Sequence, residues 1–156
     1  MKKSIFIRKL KETDLKRLVK FRNKKNIWKL TGGGGFKKKV TLADEKEWFK
    51  KVNRKKDRLN LAIELNEKYI GNIYFTDIKN SSAQFHIFIG ENNLWGEGIG
   101  TKSTLLSLNY LKINYGIKKI YLKVNKNNYS AVKMYKKCGF KVKKKLSENY
   151  YLLANY

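Results

Sequence analysis

Cysteine, histidine and proline are scarce in this sequence of 156 residues, which has one cysteine, one histidine and no proline. The single cysteine, Cys138, cannot form an internal disulfide, and with His86 as the only histidine no Cys/His zinc cluster can be assembled. A Cys-His nucleophile pair would require these two residues to meet, and Cys138 ends an amphipathic pattern where a small core residue is expected. We therefore expect neither a metal site nor a thiol nucleophile.

Long hydrophobic runs are also missing. No segment approaches the roughly 20 consecutive apolar residues that a membrane helix needs, and residues 1–9 alternate in a way that does not form the apolar part of a signal peptide. We expect a cytoplasmic protein with no membrane partner. The length suits one domain, residues 1–156, that is large enough to bury a core.

Acidic residues are few, since 12 Asp and Glu stand against 37 Lys and Arg and give a formal net charge of +25. Such a basic chain raises the hypothesis of a nucleic-acid partner. The lysines are spread along the whole chain in company with many asparagines, which also fits a genome rich in A/T codons and favours a generally solvated basic surface. We do not expect a nucleic-acid partner, and association with the ribosome stays open.

The first half of the chain predicts helices followed by antiparallel strands. Thr13 is expected to cap a first helix, and Thr41 with Asp44 resembles a capping box that opens a second. Alternating apolar residues predict strands at residues 5–9, 59–65, 69–77 and 84–89. The last three of these strands are separated by short turns and should form a meander.

The second half begins with a long helix from Gly98 to Gly116, on which Leu106, Tyr110 and Ile113 share one face. A strand at residues 120–124 follows. Asn128 is expected to cap a short helix that Gly139 closes, and residues 140–145 and 150–154 predict a hairpin. Together the elements indicate one α/β domain with a mixed sheet.

The sharpest local feature is the turn from Trp95 to Thr101, where three glycines lie between a strand and a helix. Glycines let successive backbone N–H groups approach an anion, and the helix N-terminus adds its dipole, so the turn could hold a pyrophosphate. A dinucleotide-binding turn needs two residues between its second and third glycines, whereas only Ile99 separates Gly98 from Gly100. A tight connection with no ligand remains the alternative for the turn taken alone.

The order of several segments resembles the GCN5-related N-acetyltransferases (GNAT), in particular the branch with ribosomal-protein N-terminal and spermidine acetyltransferases. The segments are residues 21–23, 47–49, 70–73, 87–90, the glycine turn and 128–140. The resemblance implies an α/β GNAT fold with a mixed, mostly antiparallel, V-shaped sheet flanked by about four helices. It also implies acetyl-CoA as the co-substrate, with no metal.

The resemblance assigns the coenzyme site residue by residue. The family's Gln/Arg-x-x-Gly-x-Gly/Ala loop falls on Trp95 to Gly100, with Trp95 in place of the usual Gln or Arg. The family's Asn-x-x-Ala-x-x-x-Tyr segment falls on Asn128 to Tyr135. The expected coenzyme-binding residues are Ile87, Phe88, Ile89, Trp95, Gly96, Glu97, Gly98, Ile99, Gly100, Thr101, Asn128 and Ser130.

The resemblance also implies catalytic roles. The Tyr135 hydroxyl is expected near the thioester sulfur, where a phenol can protonate the departing thiolate. The family's basic carboxylate would fall on Gln84, which cannot accept a proton, so His86 and Glu91 are the candidate bases. In the family, the region between the first two helices borders the acceptor, which suggests that residues 31–36, with four consecutive glycines, form a mobile acceptor loop. A surface connector without contact to the substrate is the alternative.

These features predict an N-acetyltransferase that passes the acetyl group of acetyl-CoA to a primary amine by direct attack in a ternary complex. The acceptor could be a small-molecule amine, an amino sugar or a protein N-terminus. The alternative is a non-catalytic basic RNA- or ribosome-binding protein with the same fold. The assembly could be a monomer or a homodimer.

Overall fold

A computed structural model describes residues 4–27 and 38–155 of the chain. Seven strands form one sheet in the order β1-β2-β3-β4-β5-β7-β6. Their bounds are β1 Ile5–Lys9, β2 Leu59–Leu65, β3 Lys68–Lys79, β4 Ser82–Ile89, β5 Lys119–Asn125, β6 Lys141–Lys145 and β7 Tyr150–Asn155. The predicted strands are confirmed, with the last one inserted between β5 and β6.

The principal helices of the described residues are α1 Leu15–Arg22, α2 Leu42–Asn53, α3 Ile99–Tyr115 and α4 Tyr129–Lys137. None of the helices described is long and apolar enough to cross a membrane. The predicted acceptor loop at residues 31–36 lies outside the described residues.

The sheet splits between its two central strands. All neighbouring strands are antiparallel except β4 and β5, which run parallel and pair only where Ser82–Gln84 faces Lys119–Tyr121. Beyond Gln84 the two strands diverge, so each exposes one edge of backbone N–H and C=O groups to the gap between them. This divergence confirms the V-shaped, mostly antiparallel sheet.

Hydrophobic cores cover the two faces of the sheet. The larger core joins the sheet to α3 and α4 and includes Phe75, Phe85, Ile99 and Leu122. The smaller core lies under α1 and α2 and includes Leu15, Leu18 and Phe21 from α1, with Ala62 and Tyr69 from the sheet. The sheet is thus held from both sides, and its split end is where a ligand can enter.

The most buried face of helix α3 is not the one that Leu106, Tyr110 and Ile113 share. Ile113 is 71% exposed and Leu105 48% exposed, and Leu106 and Tyr110 are only partly buried. The buried positions are Ile99, Ser103, Thr104, Ser107 and Leu111. Leu106 and Tyr110 pack, partly buried, against the larger core, whereas the fully buried face is formed by small polar residues together with Ile99 and Leu111.

The predicted cap of the first helix was also wrong. Thr13 lies inside a 3₁₀ turn, Glu12–Asp14, that precedes α1. The Asp14 carboxylate instead accepts the backbone N–H of Lys11 at 2.8 Å and pairs with Arg8 Nη1 at 2.8 Å. The ion pair with Arg8 of β1 therefore helps to fix the turn that precedes this helix, and the apolar spacing within the helix does not reveal it.

The other caps follow the prediction. The Thr41 hydroxyl accepts the N–H of Asp44 at 3.2 Å, and the Asp44 carboxylate accepts the N–H of Thr41 at 2.8 Å. The side chain of Asn128 accepts the N–H of Ala131 at 3.2 Å, which caps α4. Gly139 closes α4 with a φ of 88°, a left-handed conformation that glycine adopts without strain.

Candidate active site

A cleft of about 670 Å³ opens where β4 and β5 diverge. Its walls come from β4, β5, the glycine turn and α4. Of the predicted site residues, the following line the cleft: His86, Ile87, Phe88, Ile89, Trp95, Gly96, Gly98, Ile99, Gly100, Thr101, Asn128, Ser130 and Tyr135. The structure thus brings nearly all the predicted residues to one cavity.

The glycine turn presents backbone N–H groups to this cleft. Gly96 and Gly98 have φ values of 79° and 75°, and a Cβ at either position would meet nothing within 4 Å. Glycine is required there for the backbone conformation and leaves open space beside it. Lys102 N–H bonds to Gly98 O at 3.1 Å, so the amides of the three residues before Lys102 have no carbonyl of the helix to bind. This arrangement suits an anion such as a pyrophosphate.

Trp95 ties the turn to the end of β4. Its indole N–H donates to the backbone carbonyl of Ile89 at 3.0 Å, while the side chain stays 39% exposed on the cleft wall. A Gln or Arg at this position would place a polar group toward the ligand, whereas Trp95 uses its polar atom to fix the loop. The turn is therefore held in place before any ligand binds.

Helix α4 forms the wall opposite β4 and packs on the start of α3. A Cβ at Gly100 would lie 3.9 Å from Met134 Cε, which is ordinary contact and marks the close approach of the two helices. Lys133 and Lys137 of α4 also line the cleft. The two helices and their lysines place positive potential beside the glycine turn.

Tyr135 lies deep in the cleft wall and is 8% exposed. Its ring packs edge-on against Phe85, with ring centroids 6.0 Å apart, and lies 5.8 Å from the ring of Phe140. Burial, with a smaller contribution from the nearby Tyr74, raises the pKa of the Tyr135 hydroxyl above its usual value. The phenol is therefore protonated at neutral pH and can donate a proton.

His86 lies on the opposite face of β4 and also lines the cleft. Its ring stacks on Tyr74 with centroids 4.5 Å apart, and its Nε2 lies 3.1 Å from the Thr76 hydroxyl. Burial lowers the pKa of His86 from 6.5 to about 4; the positive charges of Arg58 and Lys123 add to the effect, and the negative charge of Asp77 opposes it. The imidazole is thus neutral at physiological pH and able to accept a proton.

Two predicted site residues do not line the cleft. Glu91 pairs with the guanidinium of Arg17, and its other oxygen lies 3.8 Å from Lys24 Nζ. Glu97 belongs to the glycine turn but its side chain is not part of the cleft wall. The structure therefore places His86, but not Glu91, at the cleft.

The thiol of Cys138 does not line the cleft. Cys138 is buried in the larger core, and its Sγ lies 3.7 Å from the carbonyl oxygen of Thr101. Burial raises the pKa of this thiol, which disfavours the thiolate. Across residues 4–27 and 38–155, no three His, Cys, Asp or Glu side chains come together as a metal would require.

Several cleft residues escaped prediction from the sequence. Tyr74 of β3 stacks on His86 because the antiparallel register places the two residues opposite each other. Lys123 and Tyr150 line the same cleft from β5 and β7. Alternation along each strand could have given the face of each residue, but not the strand order that brings the three strands together.

Comparisons with known proteins relate the chain to acetyltransferases. The family model described as acetyltransferase (GNAT) domain matches residues 4–141. An uncharacterized protein of Methanocaldococcus jannaschii is 32% identical over 93% of this chain, which spans only 30% of that relative's length. The spermidine N(1)-acetyltransferase of Escherichia coli (strain K12) is 24% identical over 98% of this chain and 81% of its own length.

A solved structure has the same fold. The spermidine N-acetyltransferase of Vibrio cholerae, crystallised with CoA and spermine, matches with a TM-score of 0.87 and 22% identity. The match covers 96% of this chain and 94% of that one. The split sheet and its flanking helices are therefore an architecture shared across this distance in sequence.

Proposed function

Because the chain belongs to the acetyltransferase (GNAT) domain family, we propose that it transfers the acetyl group of acetyl-CoA to a primary amine by direct attack in a ternary complex. The observation that carries this proposal is the cleft at the split of the sheet, which joins the glycine turn to Tyr135 and His86. One end of the cleft suits the coenzyme's phosphates, and the middle holds a proton donor. The other end holds a neutral base.

The coenzyme is assigned to the wall formed by the glycine turn and α4. Its pyrophosphate fits the amides that precede Lys102, and a Cβ at Gly98 would fill the space that the phosphates need. Because β4 pairs with β3 but not with β5 beyond Gln84, the edge of its backbone that faces β5 along Ile87 to Ile89 is open to the pantetheine amides. The thioester would then lie between the two central strands, beside Tyr135.

The reaction needs a neutral amine, a polarised carbonyl and an acid for the leaving group. Backbone N–H groups on the open edge of β4 are positioned to stabilise the oxyanion that forms on the thioester carbonyl. The nitrogen attacks, the C–S bond breaks, and the Tyr135 hydroxyl gives its proton to the thiolate. The phenol then recovers a proton from solvent.

His86 is the better candidate for the base. It lines the cleft and is neutral at physiological pH because burial lowers its pKa to about 4. Such a low pKa makes it a weak base, so its role is to accept the amine proton as the C–N bond forms, directly or through water. Glu91 is held by Arg17 and Lys24 and would have to leave both to take this role.

The wider assignments rest on the same proposal. The acceptor is a primary amine, and the protein is proposed to work in the cytoplasm as a single domain that forms a monomer or homodimer. The relatives above are named for spermidine, which supports an amine as acceptor. The RNA- or ribosome-binding alternative is not favoured, because the cleft and the family both correspond to acyl transfer.

The direct test combines binding and turnover. Acetyl-CoA should raise the thermal unfolding temperature, whereas an RNA oligonucleotide should not, since only the first fits the cleft. A panel of amines should then release CoA thiol in proportion to acetylated product. Absence of any shift with acetyl-CoA at millimolar concentration would contradict the proposal.

A further inference from the structure

The cleft is lined by cations and by no carboxylate. All 12 Asp and Glu residues lie within residues 4–27 and 38–155, so each can be located, and none of them lines the cleft. The charged side chains that do line it are Lys123, Lys133 and Lys137. Among the described residues, the wall of this cavity therefore carries only positively charged side chains, and the one carboxylate whose charge acts on His86, Asp77, lies outside the lining, 3.4 Å from the Thr76 hydroxyl.

The carboxylates of the neighbouring elements are engaged elsewhere. Asp14 and Glu64 pair with Arg8, and Glu45 pairs with Arg22 at 3.2 Å under α1 and α2. Glu91 is held by Arg17 and Lys24. A polycationic acceptor would find no counter-charge on the cleft wall, in a chain whose formal charge of +25 already repels it.

The lysines occupy two different parts of the cleft. Lys133 and Lys137 project from α4, beside the glycine turn, where the coenzyme's phosphates are assigned. Lys123 belongs to β5 and lines the cleft. Because Gln84 pairs with Tyr121 in the parallel register, His86 and Lys123 lie two residues further along their strands, on opposite sides of the split in the sheet. This geometry places Lys123 at the acceptor end, where Tyr74 stacks on His86.

We propose that the acceptor is a small primary amine that itself carries a carboxylate or phosphate group, and that Lys123 binds this anionic group. The inference rests on the proposed acetyltransferase function and names its substrate class. The anionic group of such a molecule draws the whole molecule into the cleft. Its ammonium group then lies near the positive charge of Lys123, which disfavours the ammonium form and favours the neutral amine that attack requires. The polyamines after which the relatives are named lack the anionic group.

Matched pairs of acceptors test this proposal. Glucosamine 6-phosphate is compared with glucosamine, and 3-aminopropionate with its amide, with spermidine as the polycation. The kcat/KM for each amine is measured from released CoA thiol at saturating acetyl-CoA. We expect the anionic member of at least one pair to exceed its neutral partner by about tenfold or more, and to exceed spermidine. The pair that responds distinguishes phosphate from carboxylate.

Lys123→Met provides the residue-level test, with Lys112→Met on the outer side of α3 as the matched control. The ratio of kcat/KM between anionic and neutral members should fall toward one in Lys123→Met and persist in Lys112→Met. Because each ratio is taken within one preparation, a loss of folded protein cancels. A thermal shift with acetyl-CoA verifies that the variant is folded.

Three results would overturn the inference: spermidine as the best acceptor, equal rates within both pairs, or a ratio unaffected by Lys123→Met. If spermidine is acetylated and the anionic amines are not, the inference fails while the acetyltransferase function stands. If acetyl-CoA binds but none of the anionic amines reacts, the inference is likewise rejected. If acetyl-CoA does not bind at all, the proposed function fails, and the inference with it.

Discussion

The two sides of the cleft are built on different principles. The proposed donor side, residues 95–101 and helix α4, has backbone amides, a helix N-terminus and glycines in a left-handed conformation. The proposed acceptor side, Tyr74, His86 and Lys123, has side chains from three separate strands. A site formed by backbone groups tolerates most side-chain substitutions around it, but not the replacement of a glycine that the ligand must approach. A site formed by side chains can change its ligand through single substitutions.

The largest effect should come from breaking the donor side. In Gly98→Val a branched side chain would fill the space beside the turn, so acetyl-CoA affinity should fall by about 100-fold or more as several amide–phosphate hydrogen bonds are lost together. Titration calorimetry with acetyl-CoA measures this change.

Gly116→Val is the matched control for that substitution. Gly116 ends α3 in the same left-handed region, with a φ of 62° and open space around a Cβ, but lies away from the cleft. Both variants carry a similar backbone strain of about 1–2 kcal/mol. Equal losses of affinity in the two variants would show that strain, and not ligand contact, is responsible.

The next largest effect should come from replacing Tyr135, which is proposed to act between the donor and acceptor sides. Tyr135→Phe keeps the ring that packs on Phe85 and Phe140 but removes the proton donor. Turnover should fall by about 10- to 1000-fold, with little change in acetyl-CoA binding. Steady-state kinetics and calorimetry on the same preparation separate the two quantities.

Tyr151→Phe serves as the control for Tyr135→Phe. Tyr151 packs against the same core but does not line the cleft. Its replacement should leave turnover within about twofold. If both variants lost turnover equally, the Tyr135 hydroxyl would have no role in protonating the leaving group.

The proposed donor side could be predicted from sequence because it consists of two short segments. Residues 95–101 carry the conformational requirement, the anion-binding amides and the helix start, and Asn128 to Tyr135 was assigned through its resemblance to the family's segment. The acceptor side depends on the register between β3 and β4 and on the divergence of β5. The local periodicity of the sequence reveals neither the register nor the divergence. His86 became a candidate base because the resemblance places the family's base at Gln84 and alternation along the strand puts His86 on the same face.

The packing of α3 shows a second limit. Leu106, Tyr110 and Ile113 have the periodicity of a buried face, yet Ser103 and Ser107 are fully buried instead. Small residues allow a helix to lie close to its neighbours, since the distance between packed elements depends on the side chains at the contact. The Ser107 and Thr104 hydroxyls bond to carbonyls of their own helix at 2.8 and 2.7 Å, which reduces the cost of burying them. A hydropathy pattern cannot register this compensation.

The acceptor side should respond more moderately than the donor side. His86→Gln keeps a polar side chain of similar size but removes the proton acceptor, so kcat should fall by about 100-fold if the imidazole is the main base. Thr76→Val removes the hydroxyl that lies 3.1 Å from Nε2 and should lower kcat by a few-fold through misorientation of the ring. Steady-state kinetics across pH checks both variants. An unchanged kcat in His86→Gln would mean that water alone, and not His86, accepts the proton of the amine.

The smallest effect is a pH dependence of stability, which tests the environment of His86 without any substrate. Burial holds the pKa of the folded-state imidazole at about 4, below its usual value of 6.5. Above pH 6.5 both folded and unfolded forms are neutral. Between pH 6.5 and 4 only the unfolded chain takes up the proton, so the free energy of unfolding falls as the pH falls. The expected fall is on the order of 1–2 kcal/mol, after allowance for the exposure of His86 on the cleft wall.

Urea unfolding of the parent and His86→Gln at pH 7 and pH 4.5 isolates this contribution, because the carboxylates titrate in both proteins and cancel in the difference. The parent should lose more stability than the variant. As His86 is the only histidine in the chain, NMR titration of its ring protons reports the same pKa directly, without assignment. A titration midpoint of His86 near pH 6.5 would mean that the imidazole is hydrated and that the charges of Arg58 and Lys123 do not lower its pKa. The contrast between a backbone-built donor side and a charged, desolvated acceptor side would then be lost.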